Sequence, residues 1–155
     1  MTSALDRLDR DILRLIQEDC SLSAEDIAAR CGGSASTISR RLKRFRDEGI
    51  VTRTVAVVDP RKAGRPLTVI TGVRLDGEDS AGAKSFRDAV CAHPAVTQCY
   101  FVTGPADYVV ILNVRDIEEY DAFVQKYLVA NKYVHTTHTS VVIGTLKSGL
   151  AIPID

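Results

Sequence analysis

Hydrophobic positions in the first third of the chain recur at helical spacing, in three separate segments. The first segment spans residues 6–18, and its apolar positions are Leu8, Ile12, Leu15 and Ile16. Ser23, followed by Asp26 three residues later, forms a capping-box pattern that is typical of a helix start. Because glycine commonly ends a helix, Gly32 and Gly33 are predicted to close this second, short helix.

The third segment, residues 34–46, has one apolar side and one strongly basic side. Its apolar positions are Ala35, Ile38, Leu42 and Phe45. The segment holds five arginine or lysine residues and no acidic residue. Ser34 or Ser36 is predicted to cap its start, and Gly49 follows its end. A short helix, a glycine turn and a second amphipathic helix are the parts of a helix-turn-helix motif.

The polar side of this third helix carries the side chains that commonly read DNA. The candidate DNA-contacting residues are Ser34, Ser36, Thr37, Arg40, Arg41, Lys43 and Arg44. Arginine can bond guanine edges with two hydrogen bonds, and serine or threonine can reach phosphates or bases. We therefore predict that the helix enters the major groove, with Ser36, Thr37, Arg40 and Arg41 nearest the bases and Lys43 and Arg44 nearer the backbone. The alternative for such a stretch is a solvated cationic helix face.

The hydrophobic period changes after Gly49, where residues 50–58 become β-like and residues 59–66 form a turn-rich linker. The further predicted elements are a strand at 67–75, a helix at 83–92, a hairpin of strands 96–103 and 108–114, a helix at 117–129 and a strand at 134–146. The order βαββαβ is that of a ferredoxin-like domain. We predict an α+β protein with a winged helix-turn-helix domain at 1–52, a hinge strand and linker at 53–66, and a ferredoxin-like domain with an antiparallel sheet at 67–155.

The composition is that of an ordinary globular protein, with 155 residues, 45% of them hydrophobic, and a formal net charge of zero. The basic helix is therefore a local charge asymmetry rather than a property of the whole chain. The four cysteines form no C-x-x-C pair, which argues against a zinc cluster and a disulfide framework and favours a reducing cytoplasm. The charged N-terminus has no apolar core of a secretory signal, and no run approaches the length of a membrane span. We expect a cytoplasmic, nucleoid-associated protein without metal, cofactor or membrane partner.

Several short motifs occur in a fixed order along the chain. They are residues 5–13, the segment 34–42 closing on 49–51, Asp59-Pro60 with Gly64, Val102-Thr103-Gly104 with Asp107-Tyr108, and Val134 with Thr137 and Thr139, followed by Lys147. As an ordered set, they resemble the Lrp/AsnC family of prokaryotic transcription regulators over nearly the whole chain.

This resemblance implies an N-terminal DNA-binding domain, a hinge strand, and a C-terminal domain for dimerisation and amino-acid sensing. It implies homodimers that pair through their sheets and assemble into tetramers or octamers, with the effector bound between dimers. The effector-binding residues that it implies are Tyr100, Thr103, Gly104, Asp107, Thr137 and Thr139. Two recognition helices on one dimer require a roughly palindromic operator in double-stranded DNA.

The chemistry of the candidate effector loop suits a zwitterion. Backbone N–H groups around Gly104 can meet a carboxylate, and Asp107 can accept from an ammonium group. The alternative is that Gly104 only permits the turn, that Asp107 orders it, and that the two threonines are ordinary strand residues.

The chain departs from the family pattern at a few positions. Pro105 removes an amide donor from the loop, and Ala106 replaces a larger side chain, which favours a roomier pocket. Residues 131–133 replace a turn of the Leu-Pro-Gly kind. Gly33 replaces a leucine before the recognition helix, at an expected cost in local packing.

Two other functions are compatible with the layout. A sirohaem decarboxylase-like enzyme has the same two domains, and His135 and His138 are the residues that favour it. In a regular strand their odd separation sends them to opposite faces, so we expect no catalytic site. A co-regulatory partner that no longer binds DNA would have lost the basic face of the third helix, whereas here it is present.

Overall fold

Three helices make up the N-terminal part of the protein: α1 (Arg7–Glu18), α2 (Ala24–Cys31) and α3 (Ala35–Asp47). The structure, a computed structural model, describes residues 4–76 and 80–155. The helices pack around fully buried side chains, which are Ile12, Ile27, Ile38 and Phe45. These are positions that the helical pattern of the sequence predicts to be apolar.

The helix ends follow the capping chemistry of the sequence. Ser23 and Asp26 form the predicted capping box at α2, and of the two candidate caps of α3 the structure uses Ser34. The turn between α2 and α3 has positive φ angles, 84° at Gly32 and 97° at Gly33. Because a side chain is strained at such angles, glycine at position 33 serves the turn, which offsets the expected packing cost.

Residues 50–58, where the sequence pattern predicts a strand, form none within residues 4–76 and 80–155 of this one chain. After α3, the Val51 N–H donates to the Phe45 carbonyl at 2.9 Å, and residues 52–58 have no sheet partner within residues 4–76 and 80–155. A strand needs a neighbouring strand for its backbone groups, so the alternating pattern alone does not produce one. The side chains of Val57 and Val58 are accordingly 91% and 65% exposed.

The second part of the chain is a four-stranded sheet with helices. Its elements are β1 (Leu67–Leu75), α4 (Ser80–Cys91), β2 (Val96–Phe101), β3 (Tyr108–Val114), α5 (Ile117–Phe123) with a π-helical continuation (Val124–Val129), and β4 (Val134–Val141). The strand order is β2-β3-β1-β4, and all neighbours are antiparallel. The predicted ferredoxin-like domain is confirmed. Its core lies between the sheet and the helices, around Val69, Val110, Leu112 and Phe86.

Some boundaries differ from the sequence pattern. The last strand ends at Val141 rather than at residue 146, and Ile143 and Leu146 are fully exposed because they have no sheet or core to join. The helix predicted at 117–129 widens into a π-helix from Val124 onward. No helix in the described ranges is long and apolar enough to cross a membrane.

The chain forms two compact units, residues 4–56 with 147–155, and residues 57–146. The last nine residues, which the sequence pattern assigns to the second domain, thus pack with the helices of the first. The Ile154 side chain explains this placement, because it packs against the apolar core of the three helices.

Candidate functional site

One side of helix α3 is exposed and polar. Ser36, Arg40 and Lys43 lie on it, and all three belong to the predicted DNA-contacting set. Ser39 and Arg46 are exposed as well, although the sequence analysis did not select them. At 100° per residue, these two positions fall beside Lys43 on the helix surface, so a complete projection of the helix would have found them.

Three hydroxyl groups cluster at the start of α3. The Ser34 hydroxyl accepts from the Thr37 backbone N–H at 3.3 Å, and its oxygen lies 2.9 Å from Ser36 Oγ and 3.0 Å from Thr37 Oγ1. The Ser34 side chain therefore caps the helix, so its contacts lie within the protein. The Ser36 side chain projects on the exposed side next to it.

Arg41 and Arg44 point from α3 towards α1 rather than to the exposed face. Arg41 Nη1 lies 2.6 Å from Asp6 Oδ2 and 2.5 Å from Asp9 Oδ1, and Arg44 Nη2 lies 2.6 Å from Asp9 Oδ2. The Asp9 side chain is only 1% exposed, and the Arg41 side chain is 20% exposed. The sequence pattern predicts Arg41 nearest the bases, whereas in the structure its guanidinium group joins two helices.

The two carboxylates also cap helix α1. The Asp9 N–H donates to Asp6 Oδ1 at 2.8 Å, and the Asp6 N–H donates to Asp9 Oδ2 at 3.1 Å. Burial alone would raise the pKa of Asp9, but the guanidinium groups of Arg44 and Arg41 beside it hold that pKa below its ordinary value. The Arg41 hydrogen bond likewise lowers the pKa of Asp6. Asp6, Asp9, Arg41 and Arg44 form the inter-helix ion cluster, and the lowered pKa values of its two carboxyl groups favour their charged forms.

The loop between β2 and β3 is fixed by Asp107. Its carboxylate oxygen Oδ2 accepts from the Leu75 N–H at 2.8 Å. Its backbone N–H donates to the Val73 carbonyl, and its own carbonyl accepts from the Val102 N–H, both at 2.9 Å. Asp107 therefore joins the loop to the end of β1. Gly104, at the tip of the loop, has a φ of 121°, which suits glycine.

The loop packs closely against the sheet at Ala106. A side chain built at Gly72 of β1 would place its Cβ 3.3 Å from the Ala106 Cβ. The two residues are thus a small-to-small contact, which gives Ala106 a packing role beside the expected effect on pocket size. A larger residue at position 106 would press on β1.

The remaining candidate effector residues are not all brought together. Thr137 lies opposite Val73 of β1, on the side away from β3, and Thr139 lies opposite Thr71 further along β1. The Thr139 hydroxyl is 2.6 Å from the Tyr120 hydroxyl. Tyr100 lies on β2, at the opposite edge of the sheet, and its hydroxyl donates to Gln98 at 2.8 Å. Within one chain, Thr103, Gly104 and Asp107 lie on the β2–β3 loop, and β1 separates that loop from Thr137 and Thr139 on β4.

The histidines have separate surroundings. His135, next to an irregularity in the pairing of β4, places Nδ1 2.9 Å from an Asp76 oxygen. His138 lies opposite Gly72. His93 packs edge-on against Phe123, with ring centroids 5.2 Å apart, and burial lowers its pKa.

Comparison with known proteins matches two families to successive parts of the chain. The Lrp/AsnC ligand binding domain family matches residues 68–152, and the winged helix-turn-helix DNA-binding family matches residues 5–52. The HTH-type transcriptional regulator y4tD of Sinorhizobium fredii is 34% identical over 151 residues, which cover 97% of this chain and 89% of that protein. The transcriptional regulator AzlB of Bacillus subtilis is 32% identical over 151 residues, 97% of this chain and 96% of AzlB.

Solved structures resemble the whole chain. An AsnC family transcriptional regulator from Agrobacterium tumefaciens has a TM-score of 0.90 at 32% identity, covering 96% of this chain and 97% of that one. A transcriptional regulator from Neisseria meningitidis, solved as an L-Met complex, has a TM-score of 0.91 at 27% identity, covering 97% of both chains.

The fold and the basic helix define a transcriptional regulator in which a DNA-binding helix-turn-helix domain is joined to a ligand-binding domain. The chain belongs to the Lrp/AsnC family.

Proposed function

We propose that the protein is a homo-oligomeric regulator that binds a roughly palindromic operator through α3 and responds to an amino acid. The exposed face of α3 carries this proposal. Arg40 and Arg46 are exposed there, and neither forms an ion pair within the residues that the structure describes. Their guanidinium groups are therefore available for guanine edges or phosphates.

Each residue of α3 has its own part in this proposal. Ser36, Arg40 and Lys43 face the groove, with Ser39 and Arg46 added to the set. Ser34 caps the helix and Thr37 extends its hydroxyl cluster, so both contribute near a phosphate at the helix start. Arg41 and Arg44 act mainly by holding α3 against α1.

The oligomer is proposed to form through the open face of the sheet. Ile70 is 36% exposed and Tyr100 is 51% exposed, and both are large side chains on strands of that sheet. Burial of this face by a second copy would give a dimer, and dimers would assemble into tetramers or octamers. Residues 53–66 would serve as the hinge between a DNA-binding domain at 1–52 and the domain at 67–155.

The effector is proposed to be an amino acid bound at the β2–β3 loop, between dimers. The amides around Gly104 would meet its carboxylate. Asp107 uses Oδ2 for the Leu75 N–H, and Oδ1, which accepts no hydrogen bond from residues 4–76 and 80–155, would accept from the ligand ammonium group. Thr103 and Thr137 would add hydroxyl contacts, and Tyr100 and Thr139 would be supplied by a neighbouring copy. The L-Met complex of the Neisseria regulator supports an amino acid as the ligand class.

Ligand binding regulates DNA binding only if its affinity differs between two assembly states. We propose that the bound amino acid favours one oligomer, and thereby one spacing of recognition helices. The protein would act in the cytoplasm, at the nucleoid, and without catalytic activity. The separate surroundings of the three histidines support this against the decarboxylase alternative.

The test is a salt titration of binding to the protein's own upstream DNA and to a scrambled fragment, repeated with a pool of the twenty common amino acids. We expect affinity for the upstream fragment to fall steeply with salt, to exceed that for the scrambled fragment, and to change with the pool. Absence of binding to both fragments at low salt would contradict the proposal. An Arg7→Ala variant is the control for arginine substitutions on α3. Arg7 is an exposed arginine in the same unit, but it lies on α1.

A further inference from the structure

The C-terminal segment, residues 147–155, binds to α1 through its backbone. The Gln17 side chain makes both of its amide bonds to one residue of this segment. Its Nε2 donates to the Ile152 carbonyl at 3.0 Å, and its Oε1 accepts from the Ile152 N–H at 2.8 Å. A carboxamide paired in this way replaces the neighbouring strand that an extended segment would otherwise need.

Arg14 lies one helical turn before Gln17 and binds Ile154, two residues after Ile152. Its Nη2 donates to the Ile154 carbonyl at 2.6 Å, and its Nη1 donates to Asp11 Oδ1 at 2.9 Å, which fixes the guanidinium group. The Ile154 side chain packs against the apolar core of the three helices. The spacing of Arg14 and Gln17 on the helix thus matches the two-residue repeat of an extended chain, so the contact has a defined register.

The segment connects two places of functional interest. It follows β4, which carries Thr137 and Thr139 and ends at Val141. The helix to which it binds carries Asp9, the centre of the inter-helix ion cluster that holds Arg41 and Arg44 of α3. The chain after the last strand is therefore held by hydrogen bonds on the helix that supports the basic helix.

We propose that residues 150–155 are a strap that docks on α1 and transmits changes at β4 to the DNA-binding helices. The regulatory part of this inference rests on the proposed function, because β4 moves with ligand only if ligand binds there. The docking of the strap on α1 does not depend on the proposed function. Residues 142–149 connect β4 to the strap along the chain, so a shift of β4 that they do not absorb would pull on α1 or release the strap.

The first experiment measures docking in the full-length protein without ligand or DNA. Backbone hydrogen exchange is followed in residues 150–155 of the wild type and of Gln17→Leu, which removes both amide bonds at similar volume. We expect the Ile152 amide to exchange about tenfold faster or more in the variant. Glu18→Gln, an exposed neighbour on α1, should leave exchange unchanged. Wild-type exchange at the rate of an unstructured peptide would overturn the strap.

The second experiment tests transmission. Upstream-DNA affinity is measured with and without the amino-acid pool for the wild type, for Gln17→Leu and for a chain that ends at Gly149. We expect both variants to keep DNA binding within about threefold and to lose most of the ligand-induced change. A full ligand response in both variants would overturn transmission by the strap. If the wild type itself shows no DNA binding, the proposed function fails while the exchange experiment still decides the docking.

Discussion

Arg41 of α3 and Asp9 of α1, 32 residues apart in the chain, are joined by an ion pair in which Nη1 lies 2.5 Å from Oδ1. The carboxylate is almost fully buried, and its second oxygen meets Arg44 at 2.6 Å. Two arginines of the basic helix α3 therefore bind α1 and support the packing of the two helices. The orientation of α3 depends on an acidic residue that belongs to another helix.

A double-mutant cycle should detect this dependence. Asp9→Ala leaves Arg44 without its anion and Arg41 with Asp6 alone, so we expect it to lower the free energy of unfolding of the N-terminal unit by about 3 kcal/mol. Arg41→Ala and the double variant complete the cycle, with an expected coupling of about 2 kcal/mol. The measurement is chemical denaturation of the full chain, with amide exchange of Ile38 and Phe45 as the unit-specific probe. Arg40→Ala, the exposed neighbour, should change stability by less than about 0.5 kcal/mol, and strictly additive effects of the pair would contradict the coupling.

Acid should weaken the same unit. The pKa of Asp9 lies below its ordinary value of 3.8 in the folded protein. The stabilisation by the carboxylate is therefore fully present above about pH 3.8 and is lost as the pH falls through the lower, folded pKa. We expect the stability difference between the wild type and Asp9→Asn to be constant near neutral pH and to shrink below that value. A difference that persists undiminished in strong acid would show that Asp9 acts through packing alone.

Arg40 and Arg46 should have different roles at the DNA. Arg40→Ala is expected to weaken operator binding by about 1–3 kcal/mol and to relax the base preference at one position. Arg46, nearer the end of the helix, is expected to contact phosphate, so Arg46→Ala should weaken binding to all sequences and lower the salt slope by about one. Binding titrations against operator variants at several salt concentrations measure both effects. Equal loss of base preference in the two variants would contradict the assignment.

Asp107 can be tested for its two possible roles separately. Asp107→Asn keeps an oxygen that can accept from the Leu75 N–H but removes the charge, whereas Asp107→Ala removes both. We expect Asp107→Asn to retain the thermal stability of the wild type and to lose the response of DNA binding to the amino-acid pool. Thermal unfolding and the binding titration are measured on the same preparations. If Asp107→Asn responds normally and only Asp107→Ala is impaired, the residue orders the turn and does not bind the ligand.

Tyr120 should be important for the stability of the second unit. Its hydroxyl lies 2.9 Å from that of Thr71, which is fully buried, and 2.6 Å from that of Thr139. Tyr120→Phe leaves the Thr71 hydroxyl without this partner, so we expect a loss of about 1–2 kcal/mol in the free energy of unfolding. Tyr100→Phe removes an exposed hydroxyl of the same kind and should cost less than about 0.5 kcal/mol. Denaturation monitored by tyrosine fluorescence is suitable, because all five tyrosines lie in residues 100–133.

Much of the fold follows from the sequence, because most of its elements depend on local signals. The capping box at Ser23 and the alternation along residues 67–75 and 108–114 each predict an element that the structure contains. The strand at 50–58 could not be excluded in this way, since the same alternation forms a strand only where a neighbouring strand is present. The docking of Ile154 on α1 cannot be predicted from local sequence patterns either, because it depends on a contact between residues 140 positions apart.

For the candidate site, helical periodicity separates the apolar from the polar side of α3 but does not show what stands next to the polar side. Arg40 and Arg41 are alike in sequence, and only the position of Asp9 on α1 distinguishes an exposed arginine from an ion-paired one. The role of Asp107 in the loop likewise depends on the Leu75 N–H of a distant strand.

The inter-helix ion cluster divides α3 into two sets of residues with separate duties. Arg41 and Arg44 share one buried carboxylate, so a change at either has to be matched on α1, and these positions should covary among related regulators. No ion pair within the described residues joins the exposed set of α3 to α1; this set is Ser36, Ser39, Arg40 and Arg46. Natural selection can therefore change the operator that a regulator of this design recognises while leaving its scaffold intact.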